Sequence, residues 1–397
     1  MSAGGDGIVG VEPLVEVALP AGVDAPFIPR RFRAGGRLNV QDSPNIQSTR
    51  LVTCVLCGGV IADGDSTLEH PLPQWLHRFA GDVGGKSARS FVVGSKESTW
   101  RQLCLDAHRK CNTEFGRRIE NPTINSLKAI VEGKTLTWSQ VDAVFDWLDK
   151  VKSSTAHMGI ALQGHRTRLG YDNLSFPNVR TGAFDRLALF FRISDTTSSL
   201  DLWECLNEGF LTTPSAIALR IKDLVIVYAS NNYLLSKAFG LGFGVPKDGK
   251  PTFVNGTGVF ASGFGSRVTR LPAAKIIAQP MRRQHLKEGF HPSSDALQEN
   301  GDGKIYELEG MRWSRVRSTS FSRLPKLRYQ IGYALAGLEV VEWIILSKEQ
   351  DYSRYGSENS FFMKSMPNLL AEKTLLLDLV ASLRGGLRPQ QDDRDVG

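Results

Sequence analysis

The feature that most constrains the fold of this chain is a cluster of potential metal ligands that contains four of its five cysteines. Cys54 and Cys57 form a Cys-x-x-Cys pair, and Cys104, His108 and Cys111 follow some fifty residues later. Zinc takes four nitrogen or sulfur ligands in a tetrahedron, and two ligand pairs a few dozen residues apart are typical of such sites. The sequence therefore predicts that zinc holds this segment together.

The second ligand pair can be chosen in two ways. His108-x-x-Cys111 repeats the spacing of the first pair, which favours a site made by Cys54, Cys57, His108 and Cys111. Cys104 is an alternative ligand in place of His108. A thioredoxin-like redox role for the first pair would need a strand and helix around it, and the neighbouring sequence does not predict them. A module this small has a limited core, so we expect the metal to supply much of its folding free energy.

The bulk composition is that of a large globular protein. The chain has 397 residues, of which 41% are hydrophobic, and these values predict two or three domains. Its formal net charge of +7 suits a polyanionic partner such as nucleic acid. The N-terminus does not resemble a signal peptide, no stretch is typical of a membrane span, and clustered cysteines suit a reducing compartment. We expect a cytoplasmic protein without a membrane partner.

Hydrophobic periodicity predicts a strand, a long loop, a second strand and a helix around the cysteines. Residues 66–69 read as a strand, 80–99 as a Gly-, Ser- and Lys-rich loop, and 100–105 as a second strand. A helix is predicted from Arg109 to Asn121, ended by the Asn121-Pro122 step.

The rest of the chain predicts a mixed α+β domain. Val141, Val144, Phe145, Leu148 and Val151 lie at helical spacing. The remaining predicted elements are two buried strands at 187–193 and 224–229, strands and turns within 240–265, and two helices at 326–346 and 368–383. We accordingly divide the chain into a flexible segment 1–48, a zinc-stapled module 49–131, an α+β domain 132–384 of unknown type and a disordered tail 385–397.

The segment from about Leu51 to Asn121 resembles the HNH endonucleases, also called the ββα-metal or His-Me finger family, in their zinc-knuckle form. Three pieces in order carry the resemblance: Cys54-x-x-Cys57, the run Glu69-His70-x-x-Pro73-x-Trp75-Leu76, and His108-x-x-Cys111-Asn112. The resemblance covers about a fifth of the chain.

The resemblance implies a catalytic site beside the zinc. In that family the histidine at the position of His70 is the general base, and the residues at the positions of Glu69 and Asn112 hold a catalytic Mg²⁺ or Mn²⁺ ion. The family more often has Asp or His where this chain has Glu69. The chemistry is consistent, because a histidine titrates near neutral pH and a divalent cation stabilises charge on a phosphate.

The resemblance implies a phosphodiester hydrolase that cuts DNA and leaves a 5′-phosphate and a 3′-hydroxyl. The basic residues Arg109, Lys110, Arg117 and Arg118 would then contact phosphates, although a plain solvent-facing helix also explains them. RNA as the substrate is one alternative. The other is a zinc-containing nucleic-acid-binding or regulatory protein without catalysis, which metal-dependent cleavage would distinguish.

Overall fold

The computed structural model gives a mixed α+β fold, as the sequence predicted. It describes residues 54–81, 90–93, 96–101, 103–162, 185–194, 199–203, 210, 214–231, 241–244, 252–255, 274–279, 304–309, 312–355 and 366–385. The predicted flexible segment 1–48, the predicted tail after residue 385 and most of 240–265 lie outside these residues.

Two short antiparallel strands and a helix follow the first cysteine pair. Strand β1 is Ser66–Glu69, and it pairs with β4, Leu105–His108, so that Glu69 lies opposite Leu105. Between them lie helix α1, Gln74–Ala80, and a hairpin of β2, Ser90–Val93, with β3, Lys96–Thr99. Helix α2, Arg109–Phe115, starts directly after β4.

The larger part of the chain is built on an eight-stranded sheet. Its order is β14-β13-β12-β6-β9-β8-β7, and β16 pairs in parallel with the end of β6. The bounds are β6, Asp185–Ser194; β7, Leu200–Trp203; β8, Ala216–Ile221; β9, Leu224–Asn231; β12, Lys275–Gln279; β13, Tyr306–Glu309; β14, Arg312–Arg315; and β16, Lys326–Arg328. Strands β6 and β9 confirm the two predicted buried strands.

Two further strand pairs and four helices complete the described chain. A hairpin joins β10, Leu241–Gly244, to β11, Thr252–Asn255, and β5, Thr135–Thr137, pairs with β15, Ser318–Ser320. The helices are α3, Asn121–Val131; α4, Trp138–Leu162; α5, Tyr329–Tyr355; and α6, Met366–Gly385. Both late helices were predicted. Among the described residues, no helix has the length and apolar character needed to cross a membrane.

Helix α4 is enclosed by other described elements over much of its length. The sequence predicted one apolar face, but every residue from Val144 to Met158 is buried. Apolar residues of α4 share one core with α1, with β6, β8 and β9 of the sheet, and with α5. The predicted domain boundary near residue 131 stays a prediction. The core that surrounds α4 contains residues from both sides of this boundary.

Because α4 is surrounded, its charged residues need buried partners. Arg186 of β6 supplies one: its Nη2 donates to Asp149 Oδ2 at 2.5 Å and to Asp146 Oδ1 at 2.9 Å. Tyr228 donates its hydroxyl to Asp149 Oδ1 at 2.8 Å, and Ser230 does so at 3.0 Å. Burial opposes the charge of Arg186, but Asp149 and the neighbouring Tyr228, Asp146 and Asp142 together outweigh it and keep the pKa of Arg186 well above its usual value.

Three predictions near the cysteines were wrong in detail. Part of the predicted loop 80–99 forms the β2–β3 hairpin, and the second strand begins at Leu105 rather than at residue 100. The helix does not stop at Asn121-Pro122, because Pro122 comes just after a π-helical turn, in which the regular i→i−4 hydrogen-bond pattern is already interrupted. A π-helical turn, Gly116–Glu120, joins α2 to α3 without a break.

We predict that Arg186→Met lowers the free energy of unfolding by about 3–5 kcal/mol, because it removes the guanidinium that pairs with the buried Asp146 and Asp149. Arg192→Met is a matched control from the same strand, since the Arg192–Asp223 pair is partly exposed. Urea denaturation followed by circular dichroism measures both. Equal losses in the two variants would contradict the central role of Arg186.

Candidate metal centre and the adjoining polar site

A tight turn brings the first cysteine pair into position. The Cys54 amide donates to the Gly59 carbonyl at 2.8 Å, and the Gly58 amide donates to the Cys54 carbonyl at 2.7 Å. Gly58 has a φ of 76°, a left-handed conformation that glycine adopts without strain. The Val55 amide donates to the carbonyl of Asp106 at 3.0 Å, which fixes the turn against β4.

The second ligand pair lies where β4 passes into α2. His108 is the last residue of β4, and Cys111 is in the first turn of α2. The ligand atoms of Cys54, Cys57, His108 and Cys111 all lie within 4.8 Å of one another. These four residues form a Cys₃His cluster that could hold a metal such as zinc. Cys104, the alternative ligand, is buried and outside this cluster.

Hydrogen bonding prepares His108 to act as a ligand through Nδ1. Its Nε2–H donates to the carbonyl of Val60 at 3.0 Å, so the lone pair is on Nδ1, which lies 3.3 Å from Cys57 Sγ. Metal-binding histidines commonly donate their other ring N–H to a carbonyl in this way. Two backbone amides also donate to sulfur, Gly59 N–H to Cys57 and His108 N–H to Cys54.

The electrostatics of the cluster also favour a bound cation. Burial works against the Cys57 thiolate, but hydrogen bonds from Gly59 and from neighbouring side chains outweigh it and lower the pKa of Cys57. Burial raises the pKa of Cys54. Burial, a hydrogen bond with Cys57 and the charge of Cys54 raise the pKa of Cys111 to about 12. Without a metal, the cluster therefore disfavours deprotonation of all three thiols. A divalent cation would stabilise the three thiolates together.

The candidate catalytic carboxylate faces inwards from β1. Glu69 shares a face of the β1–β4 ladder with the fully buried Ala107, and its side chain is 6% exposed. Its Oε1 forms an ion pair with Lys150, which lies on α4 and is completely buried. A carboxylate has a second oxygen and several lone pairs, so Lys150 leaves part of its acceptor capacity available.

His70 is held in one tautomer. Its Nδ1 lies 2.9 Å from the Leu103 carbonyl oxygen, which can only accept, so Nδ1 carries the proton. The lone pair is then on Nε2, and the Gln74 amide nitrogen lies 3.4 Å from it. The side chain is partly buried. This arrangement, a histidine oriented by a carbonyl through one nitrogen and basic at the other, suits proton transfer.

Asn112 lies on α2 and is tied to β1. Its Nδ2 donates to the Leu68 carbonyl at 3.2 Å, which assigns the amide oxygen as the atom still available for a cation. Leu68 directly precedes Glu69 and His70. Helix α2 contacts β1, so Asn112 lies on an element next to the strand that ends at Glu69 and leads to His70. Carboxylate and amide oxygens are ligand types that Mg²⁺ and Mn²⁺ prefer, which is the role that the sequence resemblance implies for Glu69 and Asn112.

The sequence did not predict that Glu120 would join this site. A regular helix would turn Glu120 about 80° round the axis from Asn112, but the π-turn holds an extra residue and brings it back. Glu120 Oε1 lies 3.5 Å from Lys150 Nζ, so Glu69 and Glu120 share one ammonium. Burial raises the pKa of Glu120, Lys150 partly offsets this, and the charge of Glu69 adds to the increase.

The four basic residues predicted to contact nucleic acid are exposed. Arg109 and Lys110 lie at the start of α2, and Arg117 and Arg118 lie in the π-turn. Arg118 also pairs with Glu114 one turn earlier at 2.7 Å. These side chains share one continuous helical segment with Asn112 and Glu120.

Lys150 is the residue that sequence reasoning missed most clearly. The pattern around it, Asp146 to Lys152, places four charged residues among the apolar residues of the predicted helix. Such residues are rarely buried without partners, which is a signal that partners exist. This signal does not identify the partners, and the His70 carbonyl that accepts from Lys150 lies eighty residues earlier in the chain.

The comparisons with known proteins leave the site to be judged on its geometry. A scan against protein-family models matches none of them, and searches of the curated proteins and of the solved structures give no match.

We predict that Cys57→Ala abolishes stoichiometric zinc binding and unfolds the segment around it, because the removed thiolate is one of four ligands and the local core is small. Metal analysis of the purified chain and limited proteolysis measure the two effects. Cys104→Ala is the matched control, since this cysteine is buried but lies outside the cluster, and it should keep its zinc. A folded, zinc-replete Cys57→Ala chain would contradict the assignment.

We also predict that zinc binding releases protons and weakens as the pH falls. The pKa values of Cys54 and Cys111 are raised above the ordinary thiol value of 9.0, so both are protonated at pH 8 and must lose a proton to bind metal. Release should increase further at lower pH, as His108, whose pKa is raised, becomes protonated. Calorimetry in buffers of different ionisation enthalpy measures this release. A pH-independent affinity would exclude thiolate ligation.

Proposed function

We propose that this protein is an HNH-type endonuclease that hydrolyses DNA phosphodiester bonds with a divalent cation. The observation that carries the proposal is the juxtaposition of a Cys₃His cluster, an oriented histidine and an asparagine in one strand–strand–helix unit. In this proposal zinc is structural, and it holds the helix that carries Asn112 against the strand that leads to His70.

His70 is the general base. The Leu103 carbonyl holds the Nδ1 proton, which leaves Nε2 as the nitrogen that would accept a proton from a water molecule. The water oxygen attacks phosphorus as its proton passes to Nε2, and the bond to the 3′ oxygen breaks. His70 must be neutral for this step.

Glu69 and Asn112 would hold the catalytic cation. When bound, a divalent cation stabilises the negative charge that develops on the phosphate and on the departing 3′ oxygen. Asn112 adds no negative charge to such an ion, and Lys150 already compensates part of the charge of Glu69. Both features leave the cation a stronger Lewis acid.

Arg109, Lys110, Arg117 and Arg118 would contact the phosphates that flank the cleaved bond. Their exposed positions on the helix that carries Asn112 support this role, and so does the net charge of +7. Contacts of this kind position a substrate without reading its sequence. The proposal therefore predicts backbone recognition, with selectivity supplied elsewhere in the chain.

We predict that His70→Ala lowers the rate of metal-dependent nicking of supercoiled plasmid by about 10²–10⁴-fold. The variant should keep its zinc, because His70 lies outside the Cys₃His cluster. Reactions with magnesium, with manganese and with EDTA, analysed on agarose gels, measure the effect. Equal cleavage by the variant would contradict the role of His70.

Asn112→Ala should raise the magnesium concentration needed for half-maximal cleavage by roughly tenfold or more, because it removes a proposed ligand oxygen. Asn125→Ala, a change at an exposed asparagine of α3, should leave that concentration unchanged. Titration of the nicking rate with magnesium compares the two. An unchanged magnesium dependence in Asn112→Ala would remove this residue from the proposed site.

The same reactions distinguish the alternatives. A wild-type chain that binds DNA and cuts nothing with any metal would favour a zinc-containing binding or regulatory protein. Cleavage of single-stranded RNA in preference to plasmid would favour an RNA-directed nuclease with the same residues.

A further inference from the structure

Lys150 lies at the centre of the candidate site, although it belongs to a different part of the chain. Its ammonium pairs with the carboxylate of Glu69, lies 3.5 Å from Glu120 Oε1 and donates to the carbonyl oxygen of His70 at 2.6 Å. The face of the Phe115 ring is 5.8 Å away. The side chain is fully buried, so these groups replace its water.

These contacts are mutually dependent. A buried ammonium is stable only with nearby negative charge and hydrogen-bond acceptors, and two buried carboxylates repel each other without a cation between them. Removal of Lys150 would leave the carboxylates of Glu69 and Glu120 to repel each other with no positive charge between them. It would also leave the carbonyl of His70 without its donor.

The position of Lys150 is set by the sheet. Its neighbour in α4, Asp149, is held by Arg186, Tyr228 and Ser230, which belong to β6 and β9. Helix α4 therefore has one set of buried polar contacts to the sheet and another to the candidate site. Docking of α4 on the sheet decides where the Lys150 ammonium lies.

We infer that Lys150 is a positioning residue for His70, and that the site is complete only when α4 delivers this lysine from the sheet side. The inference rests on the proposed function. Lys150 acts on His70 through its backbone carbonyl and through the adjacent Glu69. It thereby holds the imidazole at the distance from Leu103 that fixes the Nδ1–H tautomer.

The test uses full-length Lys150→Met and Lys150→Arg, with Lys152→Met as the matched control. Lys152 is also a buried lysine of α4, but it donates to the Ser230 carbonyl on the sheet side. Zinc content and circular dichroism report the fold. Ring-¹⁵N-labelled histidine, assigned with His70→Ala, reports the tautomer of His70, and plasmid nicking gives kcat and KM.

We expect Lys150→Met to lose the single Nδ1–H signature of His70 and to lower kcat on the order of 100-fold with little change in KM. Lys150→Arg, which keeps a cation and donors, should restore both. Lys152→Met should keep the His70 signature. A Lys150→Met chain with its zinc, its His70 signature and its kcat intact would overturn the inference.

Two further results are decisive. If Lys150→Met loses its zinc or helical signal, Lys150→Gln takes its place under the same criteria, since it keeps a donor but no charge. If the wild type cuts no nucleic acid, the proposed function fails, and the tautomer of His70 alone decides the inference. An unchanged tautomer in the folded variant would then overturn it.

Discussion

The pairing of α4 with groups on two sides is the constraint on which the rest of the structure depends. Asp149 and Lys150 are adjacent, yet Arg186 of the sheet holds the first and Glu69 of β1 pairs with the second. A helix buried through Val144–Met158 has no water to stabilise its charges, so every charged group must match a partner fixed by the fold. These matches set one orientation and one register of α4, which apolar packing alone would specify less strictly.

The Cys₃His cluster solves a different problem, that of a small core. The apolar cluster around Cys54 is small. Its other buried residues are Val55, Leu56, Ile61, Ala107 and Phe115. So few side chains bury too little area to order a loop, a two-stranded ladder and a helix together. A metal held by four residues from the turn and the β4–α2 junction would supply the missing stability at the place where the candidate site is assembled.

The sequence predicted those parts of the structure that depend on local spacing. Cys54, Cys57, His108 and Cys111 follow ligand spacing, and the structure brings them together, while β6 and β9 follow from continuous apolar runs. It could not predict Lys150 as a partner of Glu69, because nothing local relates residues eighty positions apart. The sequence did not predict the π-turn for a similar reason. Pro122 normally marks a helix end, but here the helix continues through it because of tertiary packing. The roles of His70, Glu69 and Asn112 in catalysis stay predictions.

The central position of α4 has a consequence for synthesis of the chain. The turn, both ladder strands and α2 leave the ribosome before Lys150, and the strands that fix α4 follow later still, with β9 ending at Asn231. Until then Glu69 and Glu120 have no ammonium between them, and the backbone of His70 lacks its donor. A partly made polypeptide, or one cut off early, would thus contain the Cys₃His cluster residues but would lack the contacts that Lys150 makes. Completion of the sheet would act as an internal check that the chain is made as far as β9 before Lys150 reaches its partners.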